Sequence, residues 1–320
     1  MLGGNIQQRT SPIMTALLLT QAVPAAIDAR LRATYEIHRL DLAADPEALL
    51  DKVGPRIRGV VTGGAKGCAK TLMDRLPRLE IVAVAGVGTD AVDLGEAARR
   101  GIRVTTTPGV LTDDVADMAL GLLLMTLRDL GLGERLVRAG QWGQTAQALA
   151  RKVTGIRLGI IGLGQVGRAI ARRAEAFDMR IAYTDPKAQS QLPYRHEPDL
   201  LALARDSDAL ILAASADQGR VLITTEVLEA LGPQGYFINV ARGKLVDEPA
   251  LVRALQERRI AGAGLDVFAN EPHVPPALLD LDNVVLQPHR ASATEQTRLA
   301  MGEIVLRHLA ECFATEAAVG

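Results

Sequence analysis

The amino-acid sequence predicts an α/β fold built from two doubly wound parallel sheets. The chain has 320 residues, enough for about two domains. Short apolar runs alternate with helical patterns, which is typical of parallel strands joined by covering helices. One such series ends at Thr107 and Pro108, and a second occupies residues 150–287. The two series predict two domains.

The predicted strands are short and apolar. In chain order they are Ala16–Thr20, Gly59–Thr62, Leu79–Ala85, Ile102–Thr105, Arg157–Ile161, Arg180–Tyr183, Ala209–Ala213, Tyr236–Val240, Ala263–Val267 and Val284–Gln287. The apolar run from Ile13 to Val23 could also resemble a secretory signal, but Thr15, Thr20 and Gln21 interrupt it. A first strand is therefore favoured, with residues 1–12 as a loose leader.

A long helix is predicted after Pro108, with Thr112 or Asp113 as its N-cap. It is apolar on nearly every face, so it must be buried either in the core or against a second subunit. The last helix, Glu295 to Phe313, is expected to return to the first domain.

Composition excludes several classes of function. Lys+Arg number 36 against 37 Asp+Glu, and the aromatic residues are 4 Phe, 4 Tyr and 1 Trp, so a nucleic-acid surface is not expected. The two cysteines, Cys68 and Cys312, lie far apart and outside any metal-ligand cluster, so no metal site is expected. No apolar stretch approaches the length of a membrane span. The sequence predicts a cytoplasmic protein.

A glycine-rich sequence follows the strand that ends at Ile161. It reads Gly162, Leu163, Gly164, Gln165, Val166 and Gly167, and a helical pattern starts at once. In such a sequence the first glycine allows a tight turn, the second lets a pyrophosphate approach, and the third allows close helix packing. The helix N-terminus then favours the diphosphate. The segment predicts dinucleotide binding rather than a plain glycine turn.

Asp185 lies at the end of the next strand. A carboxylate there accepts hydrogen bonds from the adenosine ribose and repels a 2′-phosphate. NAD(H) is therefore favoured as cofactor, while the nearby Lys187 keeps NADP(H) possible. The alternative is a surface aspartate that opens the turn at Pro186.

Three further polar residues come after strands of the second series. They are Arg242, Glu271 and His289. Ligands bind outside the carboxyl ends of parallel strands, so these side chains are candidates for one site. Histidine is suited to donate a proton to a carbonyl oxygen, and a carboxylate beside it orients the ring. Arginine can grip a substrate carboxylate with two parallel hydrogen bonds.

The remaining histidines are expected to be surface residues without comparable partners. They are His38, His196, His273 and His308.

With these residues in view, the chain resembles the D-isomer-specific 2-hydroxyacid dehydrogenases, and most of all their glyoxylate/hydroxypyruvate and hydroxyphenylpyruvate reductase branch. The resemblance covers residues 77–300 and rests on AVAGVGTDAVD, TTTPGVLTDDVADMALGLLL, GIIGLGQVGRAIARRAEAFDMRIAY, NVARGKLVDEPALVRAL, GAGLDVFANEP and NVVLQPH.

The resemblance implies roles for individual residues. Arg242 would bind the substrate carboxylate, Glu271 would partner His289, and His289 would be the general acid and base. Backbone N–H groups of Val87 and Gly88 would hold the same carboxylate. The resemblance also implies contacts with the nicotinamide. Asp266 would bind its amide group, Val240 and Ala241 would line its ring, and Thr112 would lie near it.

The resemblance also implies an architecture. Two Rossmann-like domains would enclose the active site in the cleft between them. Residues 1–107 plus 288–320 would form a discontinuous substrate domain, and residues 108–287 the dinucleotide-binding domain. A homodimer joined through the second domain is expected. Trp142 would then be either an interface anchor or an aromatic directed at the neighbouring active site.

Two departures from the family affect the substrate assignment. The family often has C-P-L-T-P-E-T where this chain reads AASADQGR, so contacts around Ala214 and Ala216 are missing. Relatives usually place a small or apolar residue and then glycine after the histidine, where this chain has Arg290 and Ala291. Ala291 could crowd the nicotinamide, and Arg290 could add a charge near the substrate.

The sequence therefore predicts an NAD(P)H-dependent reductase of a small 2-oxo acid. Glyoxylate and hydroxypyruvate lead as substrates, with 2-ketogluconate and 4-hydroxyphenylpyruvate as alternatives. The scarcity of aromatic residues disfavours the aryl acid. A non-catalytic NAD(H)-sensing protein is the alternative of another class. Formate dehydrogenase shares the fold but lacks the carboxylate that Glu271 supplies here.

Overall fold

The structure is a computed structural model that describes residues 14–144, 146–215 and 220–314. The chain divides by its contacts into two compact units. The first consists of Met1–Pro108 and Arg298–Gly320, and the second of Gly109–Thr297. Each unit contains one parallel sheet. The leader predicted at residues 1–12 lies outside the described residues.

The first unit is built on a five-stranded parallel sheet. Its strands are β1 (Ala16–Leu19), β2 (Glu36–Arg39), β3 (Ile57–Thr62), β4 (Ile81–Val84) and β5 (Arg103–Thr105), in the order β2-β1-β3-β4-β5. Its helices are α1 (Ala25–Thr34), α2 (Pro46–Val53), α3 (Lys70–Asp74), α4 (Leu94–Arg99) and most of α12 (Glu295–Ala314). Successive side chains of a strand point to opposite faces, so Leu17 and Leu18 enter separate apolar clusters. Both faces of this sheet are therefore covered.

The second unit contains a seven-stranded parallel sheet. Its strands are β6 (Arg157–Ile161), β7 (Arg180–Thr184), β8 (Arg195–His196), β9 (Ala209–Leu212), β10 (Tyr236–Asn239), β11 (Gly262–Leu265) and β12 (Val284–Leu286), in the order β12-β11-β10-β9-β6-β7-β8. Its helices are α5 (Thr112–Leu127), α6 (Leu130–Arg138), α7 (Gln165–Glu175), α8 (Leu200–Arg205), α9 (Thr225–Leu231), α10 (Glu248–Gln256) and α11 (Pro276–Leu279). The direction of winding changes between β6 and β9, where ligands bind in such sheets.

The long apolar helix is α5, and it packs within its own unit. Eight of its residues are buried, and seven of them, including Leu120 and Leu123, join the cluster that covers one face of the seven-stranded sheet. Burial in the core, one of the two predicted explanations, is confirmed. The predicted N-cap is wrong, because Leu111 occupies that position without a side-chain cap and the helix begins at Thr112.

Two strands were not predicted. The edge strand β2 is polar at Glu36, His38 and Arg39, and β8 has only two residues. Both lie at a sheet edge, where one side of the strand needs no apolar partner. Neither segment therefore has the apolar run that identifies the central strands.

The second crossing between the units lies further along the chain than the predicted position after residue 287. The structure places residues 288–297 in the second unit because hydrogen bonds hold them there. The N–H groups of Arg290 and Ala291 donate to Asp266, and Thr294 donates to Asp114. The segment that contains His289 is thereby fixed to the seven-stranded sheet.

The apolar run near the N-terminus forms strand β1. All four of its residues are buried, and they pair in parallel with β2 and β3. This confirms the prediction of a strand. Over the part of the chain that the structure describes, no helix combines the length and apolar character needed to cross a membrane.

Candidate active site

The glycine-rich loop leaves β6 through a backbone conformation that favours glycine. Gly162 has a φ of 90°, and its N–H donates to the carbonyl oxygen of Thr184 at 2.9 Å. A Cβ at this position would lie 2.6 Å from the Cα of Ala214, which follows the neighbouring strand β9. A side chain at residue 162 would therefore be strained and would also collide. The loop occupies the position where the direction of winding changes.

The helix after this loop presents an open N-terminus. Gly164 is the N-cap of α7, and among the described residues, apart from its two chain neighbours, no atom would lie within 4 Å of a Cβ there. The first N–H groups of a helix lack partners within the helix, and its dipole attracts negative charge. The open space and these donors fit the diphosphate of a dinucleotide. The residues present at the loop therefore fit such a cofactor.

Other residues with predicted cofactor contacts lie around this loop. Leu163 is fully buried, Val166 is half-buried in the first turn of α7, and Gly167 packs against the loop. The hydroxyl of Thr112 donates to Oε1 of Gln165 at 3.4 Å, so the start of α5 lies beside the start of α7.

Asp185 follows β7 and is tied to the glycine-rich loop. Its Oδ2 accepts the N–H of Leu163 at 2.9 Å, and its Oδ1 accepts the N–H of Lys187 at 3.3 Å. The side chain of Gln189 donates to the carbonyl oxygen of Leu163 at 2.8 Å. Asp185 thus supports the loop in addition to its predicted contact with the ribose. Gln189 was not predicted, because a glutamine in an irregular turn has no recognisable pattern.

His289 and Glu271 form a direct pair. Nδ1 of His289 lies 2.6 Å from Oε2 of Glu271. The other carboxylate oxygen, Oε1, accepts the N–H of Phe268 at 3.1 Å. Both side chains retain partial exposure, 35% for His289 and 24% for Glu271. The pair that the sequence predicted is therefore geometrically assembled and still accessible.

Asp266 holds the histidine segment in place. Its carboxylate accepts the N–H of Arg290 at 2.8 Å and that of Ala291 at 3.0 Å, and its carbonyl oxygen accepts the N–H of His289 at 2.8 Å. His289 has a φ of 48°, a left-handed conformation that is uncommon outside glycine. Asp266 is 1% exposed, and its hydrogen bonds stabilise this turn.

The two carboxyl groups beside His289 shift their pKa values in opposite directions. Burial favours the neutral form of Glu271, but hydrogen bonds from His289 and Phe268 and the nearby charges of His289 and Arg242 outweigh it, so its pKa is lowered. Burial of Asp266 is the largest influence on that group and raises its pKa, despite the two backbone hydrogen bonds. Glu271 is therefore ionised near neutral pH, where its carboxylate can accept a hydrogen bond from His289.

Arg242 follows β10, the strand that pairs with β11. Its Nη1 donates to the carbonyl oxygen of Ala241 at 2.7 Å. The Asn239 side chain braces the turn, because it accepts the N–H of Ala241 at 3.0 Å and donates to the carbonyl oxygen of Arg242 at 3.1 Å. Val240 and Ala241 are each 7% exposed. The positive charge of Arg242 is one of the influences that lower the pKa of Glu271, after the hydrogen bonds from His289 and Phe268 and the charge of His289.

Val87 and Gly88 lie in the first unit, after β4. The side chain of Val87 is 47% exposed. Within the described residues, neither backbone N–H has a hydrogen-bond partner. Two neighbouring donors are therefore available for a ligand there.

The prediction that the other four histidines are surface residues is largely wrong. Only His273 of the four is exposed. His196 is half-buried and bonds through Nε2 to the carbonyl oxygen of Asp185 at 3.0 Å. His38 lies 3.1 Å from Glu36, and burial is the main reason why the pKa of His38 is lowered. Burial likewise lowers the pKa of His308. Secondary contacts of this kind leave no pattern in the sequence.

The remaining predicted features concern metals and the departures from the family. Among the described residues no group of three or more His, Cys, Asp and Glu side chains is arranged to hold a metal ion. Ala214 contacts the glycine-rich loop at Gly162, while Ala216 lies outside the described residues. Ala291 is buried and the Arg290 side chain is exposed.

The fold and the site together define a nicotinamide-dependent oxidoreductase. Residues 120–291 match the family model described as D-isomer specific 2-hydroxyacid dehydrogenase, NAD binding domain. The chain therefore belongs to the D-isomer-specific 2-hydroxyacid dehydrogenases, and it is an enzyme of that family. The predicted fold class and family are confirmed.

Named relatives extend across most of the chain. A 2-ketogluconate reductase of Gluconobacter oxydans is 48% identical over 265 residues, which are 82% of this chain and 86% of that protein. A glyoxylate/hydroxypyruvate reductase A of Arabidopsis thaliana is 42% identical over 92% of this chain and 94% of that protein. A solved structure, an NADPH-dependent glyoxylate/hydroxypyruvate reductase of Sinorhizobium meliloti in complex with NADP and malonate, is 42% identical with a TM-score of 0.85 and covers 94% of each chain.

Proposed function

We propose that the enzyme reduces a small 2-oxo acid of the glyoxylate or hydroxypyruvate type to the D-2-hydroxy acid. The observation that carries the proposal is the contact of 2.6 Å between His289 and Glu271, with Arg242 after β10, the strand next to the one that precedes Glu271. An acid–base pair next to an arginine matches the needs of a substrate that has a carbonyl and a carboxylate on neighbouring carbons.

The ionisation of Glu271 determines which nitrogen of His289 carries the proton to the substrate. An ionised carboxylate can only accept hydrogen bonds, so Nδ1 of His289 carries a hydrogen toward Glu271. Nε2 is then the atom that transfers a proton. During reduction Nε2–H donates to the carbonyl oxygen, and the nicotinamide, when bound, supplies the hydride. Glu271 stabilises the positive charge on the ring before this transfer.

Arg242 is assigned to the substrate carboxylate. Its guanidinium is planar and permanently charged, so it binds a carboxylate and polarises the adjacent carbonyl. The free N–H groups of Val87 and Gly88 are assigned to the same carboxylate, a role that stays a prediction. We assign Met1–Pro108 with Arg298–Gly320 to substrate binding, and Gly109–Thr297 to the dinucleotide.

NADH is the proposed cofactor. The carboxylate of Asp185 lies at the end of β7 and is fixed to Leu163, which suits hydrogen bonds to ribose hydroxyls and repels a phosphate. NADPH remains the alternative, because Lys187 follows two residues later and the Sinorhizobium meliloti relative is NADPH-dependent. We also propose that four residues lie at the nicotinamide end of the cofactor: Asp266, Val240, Ala241 and Thr112.

The alternative substrates are 2-ketogluconate and 4-hydroxyphenylpyruvate. The 48% identity to a 2-ketogluconate reductase supports the first. A hydroxyphenylpyruvate reductase of Plectranthus scutellarioides is 47% identical, but this chain has only 4 Phe, 4 Tyr and 1 Trp to line an aryl pocket. Glyoxylate and hydroxypyruvate therefore remain ahead of the aryl acid.

A homodimer joined through the second unit is also proposed. Helix α6 has no buried residue, and Leu130 and Val137 on it are 50% and 59% exposed. Trp142 in the following turn is 84% exposed. Exposed apolar side chains in this density are typical of a surface that another chain covers. Sedimentation of wild-type protein and of a Val137→Glu variant would test this assignment.

The function is tested by following the loss of reduced-nicotinamide absorbance. Glyoxylate, hydroxypyruvate, 2-ketogluconate and 4-hydroxyphenylpyruvate are each offered with NADH and with NADPH. Faster turnover of the two small acids with NADH supports the proposal, and a preference for either larger acid or for NADPH contradicts that part of it. In Asp185→Ser the ratio of NADPH to NADH turnover should rise by about tenfold or more, and an unchanged ratio would remove Asp185 from cofactor selection.

A further inference from the structure

The segments that carry Arg242 and Glu271 are fastened to each other through their backbones. Gly243 lies directly against the peptide between Phe268 and Ala269. A Cβ at residue 243 would lie 1.9 Å from the carbonyl carbon of Phe268 and 2.3 Å from the nitrogen of Ala269. Real side chains do not approach so closely, so this contact requires glycine. The absence of a side chain at residue 243 therefore lets the two segments pack backbone against backbone, and a further interaction is needed to keep them together.

A side-chain carboxylate also links the segment that follows Arg242 to the loop that carries Glu271. Oε1 of Glu248 accepts the N–H of Ala269 at 2.9 Å. Glu248 is the first residue of α10 and is half-buried. An acidic residue in a first helical turn has an ordinary explanation in the helix dipole. This one also reaches a second loop, which the dipole alone does not explain. The cap of α10 is provided separately by Asp247, whose side chain accepts the N–H of Ala250.

The bond at Ala269 lies next to the bond that orients Glu271. The preceding N–H, that of Phe268, donates to Oε1 of Glu271, and Oε2 of Glu271 meets Nδ1 of His289. Hydrogen bonds therefore connect Glu248 to the loop at Ala269, the same loop to Glu271, and Glu271 to the histidine. In the proposed mechanism, Glu248 and the Phe268–Ala269 peptide do not transfer a proton themselves.

We infer that Glu248 is a positioning residue that, together with Gly243, holds Glu271 in register with His289 and Arg242. The inference rests on the proposed roles of those three residues. Loss of the Glu248 bond frees the Phe268–Ala269 peptide, so the carboxylate of Glu271 samples positions away from His289. Small displacements of a catalytic group reduce the rate strongly, because the reactive geometry is then populated less often.

The experiment compares Glu248→Ala with Glu248→Gln and with a matched control, Glu226→Ala. Glutamine keeps an oxygen that can accept the N–H of Ala269. Glu226 is also acidic and lies in the first turn of α9, but its carboxylate accepts a hydrogen bond from the hydroxyl of Thr224, within its own segment. We expect kcat for the preferred oxo acid to fall by roughly tenfold or more in Glu248→Ala, with the KM for NADH within about twofold. Glu248→Gln should restore most of kcat, and Glu226→Ala should match wild type.

The pH profile provides a readout that a merely structural role would not move. The charged groups near Glu271 are His289, Arg242 and Asp266. Because hydrogen bonds from His289 and Phe268 help to lower the pKa of Glu271 against burial, loosening them raises it. The low-pH limb of kcat/KM should therefore shift to higher pH in Glu248→Ala and return in Glu248→Gln. A fall in kcat with an unmoved limb would overturn the inference, as would equal losses in Glu226→Ala.

A spectroscopic measurement separates this inference from the proposed function. The proton between His289 Nδ1 and Glu271 should give a low-field NMR signal in the wild-type protein, assigned by its absence in His289→Gln. Glu248→Ala should weaken or shift this signal, and Glu248→Gln should preserve it. An unchanged signal in Glu248→Ala contradicts the inference. Failure of wild-type enzyme to reduce any of the four oxo acids contradicts the proposed function instead, and leaves the NMR comparison decisive for Glu248.

Discussion

The carboxyl ends of the two parallel sheets present different kinds of chemistry. In the seven-stranded sheet, β10 is followed by Arg242 and β12 by His289, both held by hydrogen bonds to neighbouring turns. In the five-stranded sheet, β4 is followed by Val87 and Gly88, which offer only backbone N–H groups. At these positions one unit therefore presents side chains that can carry charge, and the other presents peptide donors. Substitutions can distinguish the two contributions, because side chains are removed by alanine or glutamine and peptide donors only by proline.

The largest effect is expected for His289→Gln. Glutamine cannot exchange a proton at neutral pH, so the acid–base contribution is lost and kcat should fall by about 10²- to 10⁴-fold. Steady-state kinetics with the preferred oxo acid measures this. His273→Gln is the control, because His273 is exposed and, within the part of the chain that the structure describes, its side chain forms no hydrogen bond or ion pair. Equal activity of the two variants would remove His289 from the reaction.

Arg242→Ala should act mainly on substrate binding. Charge-assisted hydrogen bonds contribute about 1.5–3 kcal/mol each, so kcat/KM for the oxo acid should fall by roughly 100-fold while the KM for NADH stays near its wild-type value. Arg242→Lys keeps the charge but loses the planar fork, so an intermediate loss is expected. If the loss appears in NADH binding instead, Arg242 serves the cofactor and the assignment is wrong.

Much of this architecture could be predicted from the sequence because its central strands are apolar. The glycine-rich loop was equally recognisable, since Gly162 occupies a left-handed conformation and α7 starts directly after it. The sequence predicts Arg242, Glu271 and His289 as polar residues that follow strands, and the structure brings His289 and Glu271 into contact. These features share one property, which is that a local pattern of residue types determines them.

What could not be predicted depends on contacts between distant segments. The edge strands β2 and β8 lack an apolar run, and the end of the second unit depends on how Asp266 bonds the N–H groups of Arg290 and Ala291. The supports at Gln189 and Glu248 are single hydrogen bonds to backbone atoms of other loops. The residue type shows that a side chain can form a hydrogen bond, but the position of the partner backbone atom depends on the folded structure.

The backbone donors of the first unit predict a smaller effect. Val87→Pro removes one N–H, and the loss of one hydrogen bond to a charged group should raise the KM for the oxo acid about tenfold. Val87→Ala keeps the N–H and removes most of the exposed side chain, so its effect should be smaller than that of proline. Circular dichroism and the melting temperature check that the proline variant is folded. Equal effects of alanine and proline would assign the contribution to the side chain rather than to the peptide.

The smallest effects are expected in the pH dependence of stability, where Glu271 and Asp266 should behave oppositely. The pKa of Glu271 is lowered in the folded state from its usual 4.5, so its ionised form stabilises the fold above that pH, and the contribution is lost as the pH falls through the lowered value. The pKa of Asp266 is raised from its usual 3.8 by burial, so the folded state holds this proton more tightly and loses stability as the pH rises toward the raised value.

Urea unfolding at several pH values between about 2 and 7 measures both contributions. The stability advantage of wild type over Glu271→Gln should shrink toward acid pH, because the glutamine variant lacks the ionised group. The advantage over Asp266→Asn should shrink in the opposite direction, toward neutral pH. If the stability differences of the two variants changed with pH in the same direction, the two carboxyl groups would not have opposite pKa shifts. The assignment of Glu271 as the ionised partner of His289, and of Asp266 as a buried acceptor for the backbone beside it, would then be wrong. Opposite slopes would establish that two acids on one loop serve different purposes, one toward the imidazole and one toward the peptide groups that place it.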